Sequence, residues 1–367
     1  MRILFYFITC FWLLLEASEA PLRILHLTFH RGCAREIEDV AACLSLQVET
    51  WFIPDLPPEM WDGETVNRCS LYNIGHERAE RIWKQLQRRF EEFDLILTSD
   101  TAPLARIFLQ NGWKKPLIIW ICNRFDYVDR ASLDCAFPDE EIYGLFQKAC
   151  RQENVRVIAY TPFEHYHAAC VGIDTGSATI TPCAPLIQPE GIPPVDSSLS
   201  RNVDRTKLFF LPPYHNETKF MDLSAHLDRL GIPNYCGRYA GPYDLVGFRG
   251  IIHLPYNWSN LALFENMRLG LPYFVPSRAF FRQLAAEGNY FHAELGQLLK
   301  EDLFDFSEWY CKEREGVIVY FDSWEDLQSK IATCDVEALH TLTLQRAEEY
   351  RMKMLQRWRE IFLMRVD

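Results

Sequence analysis

Apolar residues in this chain fall into short continuous blocks, separated by longer stretches in which they recur every three or four positions. The block at 22–29 has strand length and leads into His30-Arg31-Gly32-Cys33 and a helical stretch through Leu46. Similar blocks stand at 48–53, 94–98, 117–122 and 155–160. Parallel strands covered on both faces have this form, because neither face needs polar residues. The clearest helical pattern sets Ala79, Ile82, Leu86 and Phe90 on one face and Glu80, Lys84, Gln87 and Arg88 on the other. Strand and helix alternate, which predicts a doubly wound α/β domain over 21–186.

The pattern breaks at 187–206, a stretch rich in Pro, Ser and charge that reads as a domain linker. A second α/β series follows over 207–335, with strand blocks at 207–211, 251–254, 273–275 and 317–321. The terminal segment 336–367 carries Leu344, Ala347, Tyr350, Met354, Trp358, Ile361 and Phe362 at helical spacing, the pattern of one long packing helix.

A length of 367 residues suits two such domains, and 49% apolar with 24% charged residues is ordinary for a globular protein. Disordered, collagen-like and disulfide-knot classes are excluded. The formal charge is −12, and no run of Lys and Arg is long enough to neutralise a row of phosphates, so nucleic acid is not an expected partner. Aromatic residues are abundant, at 14%, which suits both an aromatic core and the stacking of flat ligands.

Residues 1–20 read as a signal peptide: Met1-Arg2, an apolar stretch over 3–15, and small residues Ser18 and Ala20 before Pro21. The stretch falls short of a membrane span, so membrane association is expected only if 3–15 stays uncleaved. The expected location is the lumen of the secretory pathway or the exterior. Asn216 and Asn257 begin Asn-x-Ser/Thr sequons. Of 12 cysteines, Cys10 lies in the leader; the rest contain no Cys-x-x-Cys pair, so a structural zinc site lacks support.

The segment from Gly250 to Ser277 carries the chemistry. It reads as strand, polar loop, a helix starting near Ser259, Gly270 as its stop, Pro272 and a second strand. In doubly wound sheets, ligands gather at the carboxyl ends of strands, and helix N-termini there offer backbone N–H groups to phosphate. The loop around Asn257, Ser259 and Asn260 is therefore expected to face the ligand. Phe264-Glu265-Asn266-Met267-Arg268-Leu269-Gly270-Leu271-Pro272, followed by a strand, resembles the nucleotide-sugar motif of GT-B glycosyltransferases. The resemblance is strongest over 235–277 and implies two facing Rossmann-like domains, with the terminal helix returning to the first.

By that resemblance, Glu265 accepts hydrogen bonds from the two ribose hydroxyls of a nucleotide-sugar donor, a task suited to a carboxylate with two acceptor oxygens. Many retaining members have a second Glu eight positions earlier; here that position is Asn257, so the pair is half kept and the stereochemical course stays open. Lys219, in the loop that also holds Tyr214, and Arg238 are candidates to neutralise the leaving diphosphate. The first domain would present the acceptor, a carbohydrate, glycoconjugate or other hydroxyl, with His30 as the general base.

Other chemistries lack their signatures. The chain has no Asp-x-Asp for a metal-dependent GT-A enzyme, and His165 and His167 are two apart on a helical stretch and so point to different faces. No metal or other cofactor is expected besides the donor as co-substrate. Dinucleotide, nucleophile-elbow and P-loop motifs are also missing. The rival from another class is a carbohydrate-binding protein, or a GT-B-like protein without catalysis.

Overall fold

The computed structural model describes residues 22–61, 74–123, 125, 140–183, 208–212, 221–237, 239, 242–287 and 302–363. Within them are two five-stranded, all-parallel sheets. The first has the order β2-β1-β3-β4-β5, with β1 at Arg23–Thr28, β2 at Gln47–Phe52, β3 at Leu95–Asp100, β4 at Leu117–Ile121 and β5 at Val155–Ala159. The second has the order β10-β9-β8-β6-β7, with β6 at Phe209–Leu211, β7 at Asn234–Cys236, β8 at Gly250–Ile252, β9 at Tyr273–Pro276 and β10 at Ile318–Phe321. Each strand block read from the sequence appears in the sheet expected for it. The exception runs the other way: β7 has only three half-buried residues at a sheet edge and no apolar run to betray it.

Helices cover the sheets: α1 at Arg31–Leu44, α2 at His76–Phe90, α3 at Arg106–Gln110, α4 at Glu140–Ala149 and α5 at Pro162–Cys170 belong to the first. Around the second lie α6 at Leu223–Arg229, α7 at Leu261–Arg268, α8 at Arg278–Ala286 and α9 at Trp324–Thr333. Cys33, Ile37 and Val40 of α1 are fully covered, and Ala79, Ile82 and Phe90 of α2 are buried as their spacing predicts. Among the described residues no helix is long and apolar enough to cross a membrane.

The terminal helix α10, Val336–Phe362, packs on the first domain. Trp358 meets Trp120 of β4 edge to face at 5.2 Å, and Arg357 Nη1 donates to the Thr179 carbonyl at 2.7 Å. It also lies on α7, where Tyr350 stacks on Phe264 at 5.9 Å. Leu344 departs from its expected burial and is 38% exposed, because the preceding Thr343 takes the covered position and returns its hydroxyl to the Leu339 carbonyl.

One apolar cluster lies wholly in the first domain, around Leu25, Ile96, Phe108 and Ile119. The other runs from Ile24, Leu97 and Trp120 of the first sheet through Tyr160 and Phe163 to the second sheet. The two domains therefore share a core where they face each other. The expected linker at 187–206 lies outside the described residues.

Candidate functional site

The site forms where the carboxyl ends of the two sheets meet. Helix α7 begins at Leu261, two residues later than expected, because Asn260 serves as its N-cap: the side-chain oxygen accepts from Ala262 N at 3.0 Å. The amide of Asn260 donates to the Tyr256 hydroxyl at 2.9 Å, and its backbone N–H bonds to the Glu308 carboxylate. Asn260 thus spends its side-chain amide and its backbone N–H inside the protein. Ser259 lies in the loop before the cap. Asn257 accepts from the Trp258 backbone N–H through its side chain at 2.8 Å and from the Trp309 indole through its carbonyl at 2.9 Å.

One face of α7 turns to the first domain, since Leu261, Glu265 and Arg268 recur at helical spacing. Leu261 lies against Gly32 so closely that a Cβ there would stand 2.5 Å from Leu261 Cδ1. Arg268 reaches Asp39 at 3.9 Å and donates to the Cys183 carbonyl at 3.4 Å. Glu265, between them, is half-buried. Burial raises its pKa, against the pull of Arg35 and His30.

His30 is the N-cap of α1, and Nδ1 accepts from Gly32 N at 3.2 Å, with Cys33 Sγ at 3.8 Å. Burial opposes charge on the imidazole, but Cys33, Asp100 and Glu265 outweigh it and raise the pKa. The Gly32 N–H aimed at Nδ1 works with burial toward the neutral ring. The Cys33 thiol is lowered, first by its hydrogen bond with Cys122, against burial, and further by His30 and Ser99. His26, read as a core histidine, is fully buried, with Nε2 2.8 Å from Ser99 Oγ. Burial lowers it to about 3.

Sequence reasoning missed the partners of His30. Asp100 ends β3 at φ +88°, a conformation that costs a non-glycine residue strain, and its carbonyl accepts from Cys122 N at 2.9 Å and Asn123 N at 3.0 Å. Cys33, Ser99, Asp100 and Cys122 all stand at or just beyond the carboxyl ends of β1, β3 and β4. Position at strand ends was the available signal, because that edge of a parallel sheet is where ligand-facing side chains collect.

Lys219, Tyr214 and Arg238 lie outside the described residues, as does the sequon at Asn216. His165 uses its ring on Thr175 Oγ1 at 2.7 Å and the Ala178 carbonyl at 2.9 Å. Among the described residues no group of three or more His, Cys, Asp or Glu comes together as a metal site. No disulfide joins two of the described cysteines.

No protein-family model and no curated protein matches the chain. Solved structures do. A glycosyltransferase from Rickettsia africae superposes with a TM-score of 0.51 at 13% identity, over 95% of this chain and all of that one. UGT89C1 of Arabidopsis thaliana, solved with UDP, gives 0.44 at 11% identity over 94% of this chain and all of its own. The UDP-GlcNAc 2-epimerase of Neisseria meningitidis, bound to UDP-GlcNAc, gives 0.40 at 12% identity over 92% of this chain and all of its own. At such identities the likeness concerns chain path alone. The likeness to the Rickettsia africae protein, taken with the two parallel five-stranded sheets and the returning terminal helix, establishes that the chain has the GT-B fold.

Proposed function

We propose that the protein is a metal-independent glycosyltransferase that moves a sugar from a nucleotide-sugar donor to a hydroxyl of a carbohydrate, protein or small molecule. The observation that carries this reading is the seating of α7, which bears Glu265, against the head of α1, which begins at His30, with Leu261 packed on Gly32. A carboxylate suited to a ribose diol and an imidazole suited to an acceptor hydroxyl then share one interdomain face. The Rickettsia africae protein of like fold is named a glycosyltransferase, which agrees with the reading.

In this scheme Glu265 holds the ribose, and Asn257, Ser259 and Asn260 border the donor. Lys219, Arg238 and Tyr214 serve the diphosphate side. His30 takes the proton of the acceptor hydroxyl as its oxygen bonds to the anomeric carbon and the bond from that carbon to the diphosphate breaks, the nucleotide leaving with the electron pair. The protein works in the secretory pathway or outside the cell, after loss of residues 1–20.

Thermal-shift titration of the chain lacking residues 1–20 against UDP, GDP, CMP and their sugar conjugates tests the donor. One nucleotide family should raise the melting temperature, because a ligand selective for the native state stabilises it by mass action. Glu265→Ala should weaken that binding by about 1–3 kcal/mol, the usual penalty for polar groups left without a partner. No shift from any nucleotide would leave a carbohydrate-binding protein as the better reading.

A further inference from the structure

A second cavity of about 590 Å³ lies at the junction of the first domain, the 305–315 segment of the second and the terminal helix. Its volume is within the ~300–1,000 Å³ usual for small-molecule sites. It stands on the other side of α7 from Glu265: Phe264, the preceding residue, turns toward it and packs under Arg314. It is therefore distinct from the Glu265 face of the proposed donor site, which it adjoins only through Glu308 and its bond to the Asn260 backbone.

Arg314 is the wall residue that calls for a ligand. It is 3% exposed, its guanidinium lies 4.6 Å from the Phe264 ring and 4.5 Å from the Tyr350 ring, and its Nε finds no acceptor among the described residues. A buried guanidinium with an unmet donor is expensive unless something completes it. Lys353 and Arg357 of α10 line the same cavity, with Lys312 on the facing segment and Arg278 at the start of α8. Four acids also line it, Asp305, Glu308, Glu313 and Glu315, of which Asp305 is paired with Arg278, against the five basic residues Arg278, Lys312, Arg314, Lys353 and Arg357. The remaining balance is positive.

The rest of the lining suits a hydroxylated ring. Thr179 and Thr181 offer hydroxyls, while Tyr160, Tyr310 and Tyr350 offer flat faces. An inorganic anion alone would leave most of this volume and these rings unused.

We propose that this cavity binds a hydroxylated molecule carrying one oxyanion, the shared chemistry of sugar acids and sugar phosphates, with Arg314 at the anion and Lys353 and Arg357 at the mouth. The site is independent of the transfer reading, and its test is chosen to keep the two apart.

The experiment is calorimetric titration of the protein with glucuronate, glucose 6-phosphate, glucose and inorganic phosphate. Glucuronate or glucose 6-phosphate should bind about tenfold or more tighter than either glucose or phosphate, since a charge-assisted bond and ring contacts are both needed. Whichever of the two binds tighter identifies a carboxylate or a phosphate as the natural anion. Lys353→Glu, an exposed substitution that leaves folding alone, should weaken binding about tenfold, and Arg314→Lys should weaken it further. Glu265→Ala should leave it unchanged. Absence of binding by both sugar anions overturns the proposal, as does glucose or phosphate binding equally well, or an affinity indifferent to both Lys353→Glu and Arg314→Lys. Loss of binding in Glu265→Ala would overturn the separation of the two sites.

Discussion

Trp258, on the loop after β8 of the second domain, donates its indole N–H at 2.8 Å to Glu164 at the head of α5 in the first. Glu164 is fully buried and also accepts from Thr161 N at 2.8 Å and Thr161 Oγ1 at 2.5 Å, closing a capping box. One carboxyl group thus caps a helix and fastens the two domains together. Trp258 also rests on Phe163 at 4.3 Å between ring centroids, so the contact joins a polar bond to ring packing.

Burial raises Glu164 to about 7 from an ordinary 4.5, against the downward pull of its hydrogen bonds. Between those values the native state holds a proton that the unfolded chain has released. Stability should therefore be greatest below about pH 4.5 as far as this group is concerned, and decline as pH rises to about 7, by an amount on the order of 3 kcal/mol. Denaturant melts of Glu164→Gln at several pH values should lack this component of the slope. An identical slope in the variant and the native protein would refute it.

Trp258→Phe keeps a ring against Phe163 and removes only the donor. The loss should be about 1–3 kcal/mol, because a buried acceptor loses a partner. It should also push Glu164 further up, extending the pH-dependent decline above pH 7. Chemical denaturation across that range would show both effects, and unchanged stability would mean the bond contributes nothing.

Gly32 marks the closest approach of α1 and α7. A Cβ at this position would stand 2.5 Å from Leu261 Cδ1 and 2.9 Å from the His30 ring. Gly32→Ala should destabilise the protein by roughly 1–3 kcal/mol through overpacking. Leu261→Ala makes room on one side, so the double variant should be less destabilised than the sum of the single ones. Simple additivity in a double-mutant cycle would place Leu261 elsewhere.

At the end of α7, Gly270 has φ +74°, and a Cβ there would enter the His340 ring of α10. Gly270→Ala should cost at least about 1–2 kcal/mol from backbone strain alone. Adding His340→Ala removes the clash and leaves the strain, so thermal unfolding should show partial recovery. Full recovery would mean that the backbone conformation relaxes freely.

Transfer activity should rise with pH as His30 loses its proton, with a midpoint above the ordinary 6.5. The Cys33 thiol is the largest contributor to that elevation, so Cys33→Ser should move the profile to lower pH. A rate profile that stays in place would dissociate Cys33 from the base, and a profile insensitive to His30→Gln would remove His30 from the reaction.

Much of the fold was legible along the chain because burial on both faces forces a parallel strand into a continuous apolar block. The blocks at 94–98, 117–122 and 155–160 became β3, β4 and β5 within two residues at either end. Three-residue β7 was not legible, because an edge strand can rest half-exposed and carry no such block. At the candidate site, Glu265 could be picked out because its helix, glycine stop and strand are contiguous. Its neighbours Arg35 and His30 are more than 200 positions away and reach it only through domain packing.

The sequence by itself determined two α/β halves, the strand and helix order within each, and the segment at 250–277 as the place where chemistry concentrates. Local periodicity and turn residues suffice for these, since they express preferences of neighbouring residues. Only the tertiary structure decided that Asn260 spends its donors on Tyr256 and Glu308, and that His30 stands among Cys33, Asp100 and Glu265. The same holds for Glu164, a helix-capping residue that became the domain fastener. Charge state and hydrogen-bond partners are set by what surrounds a side chain in space, and no spacing along the chain encodes which distant segment will supply it.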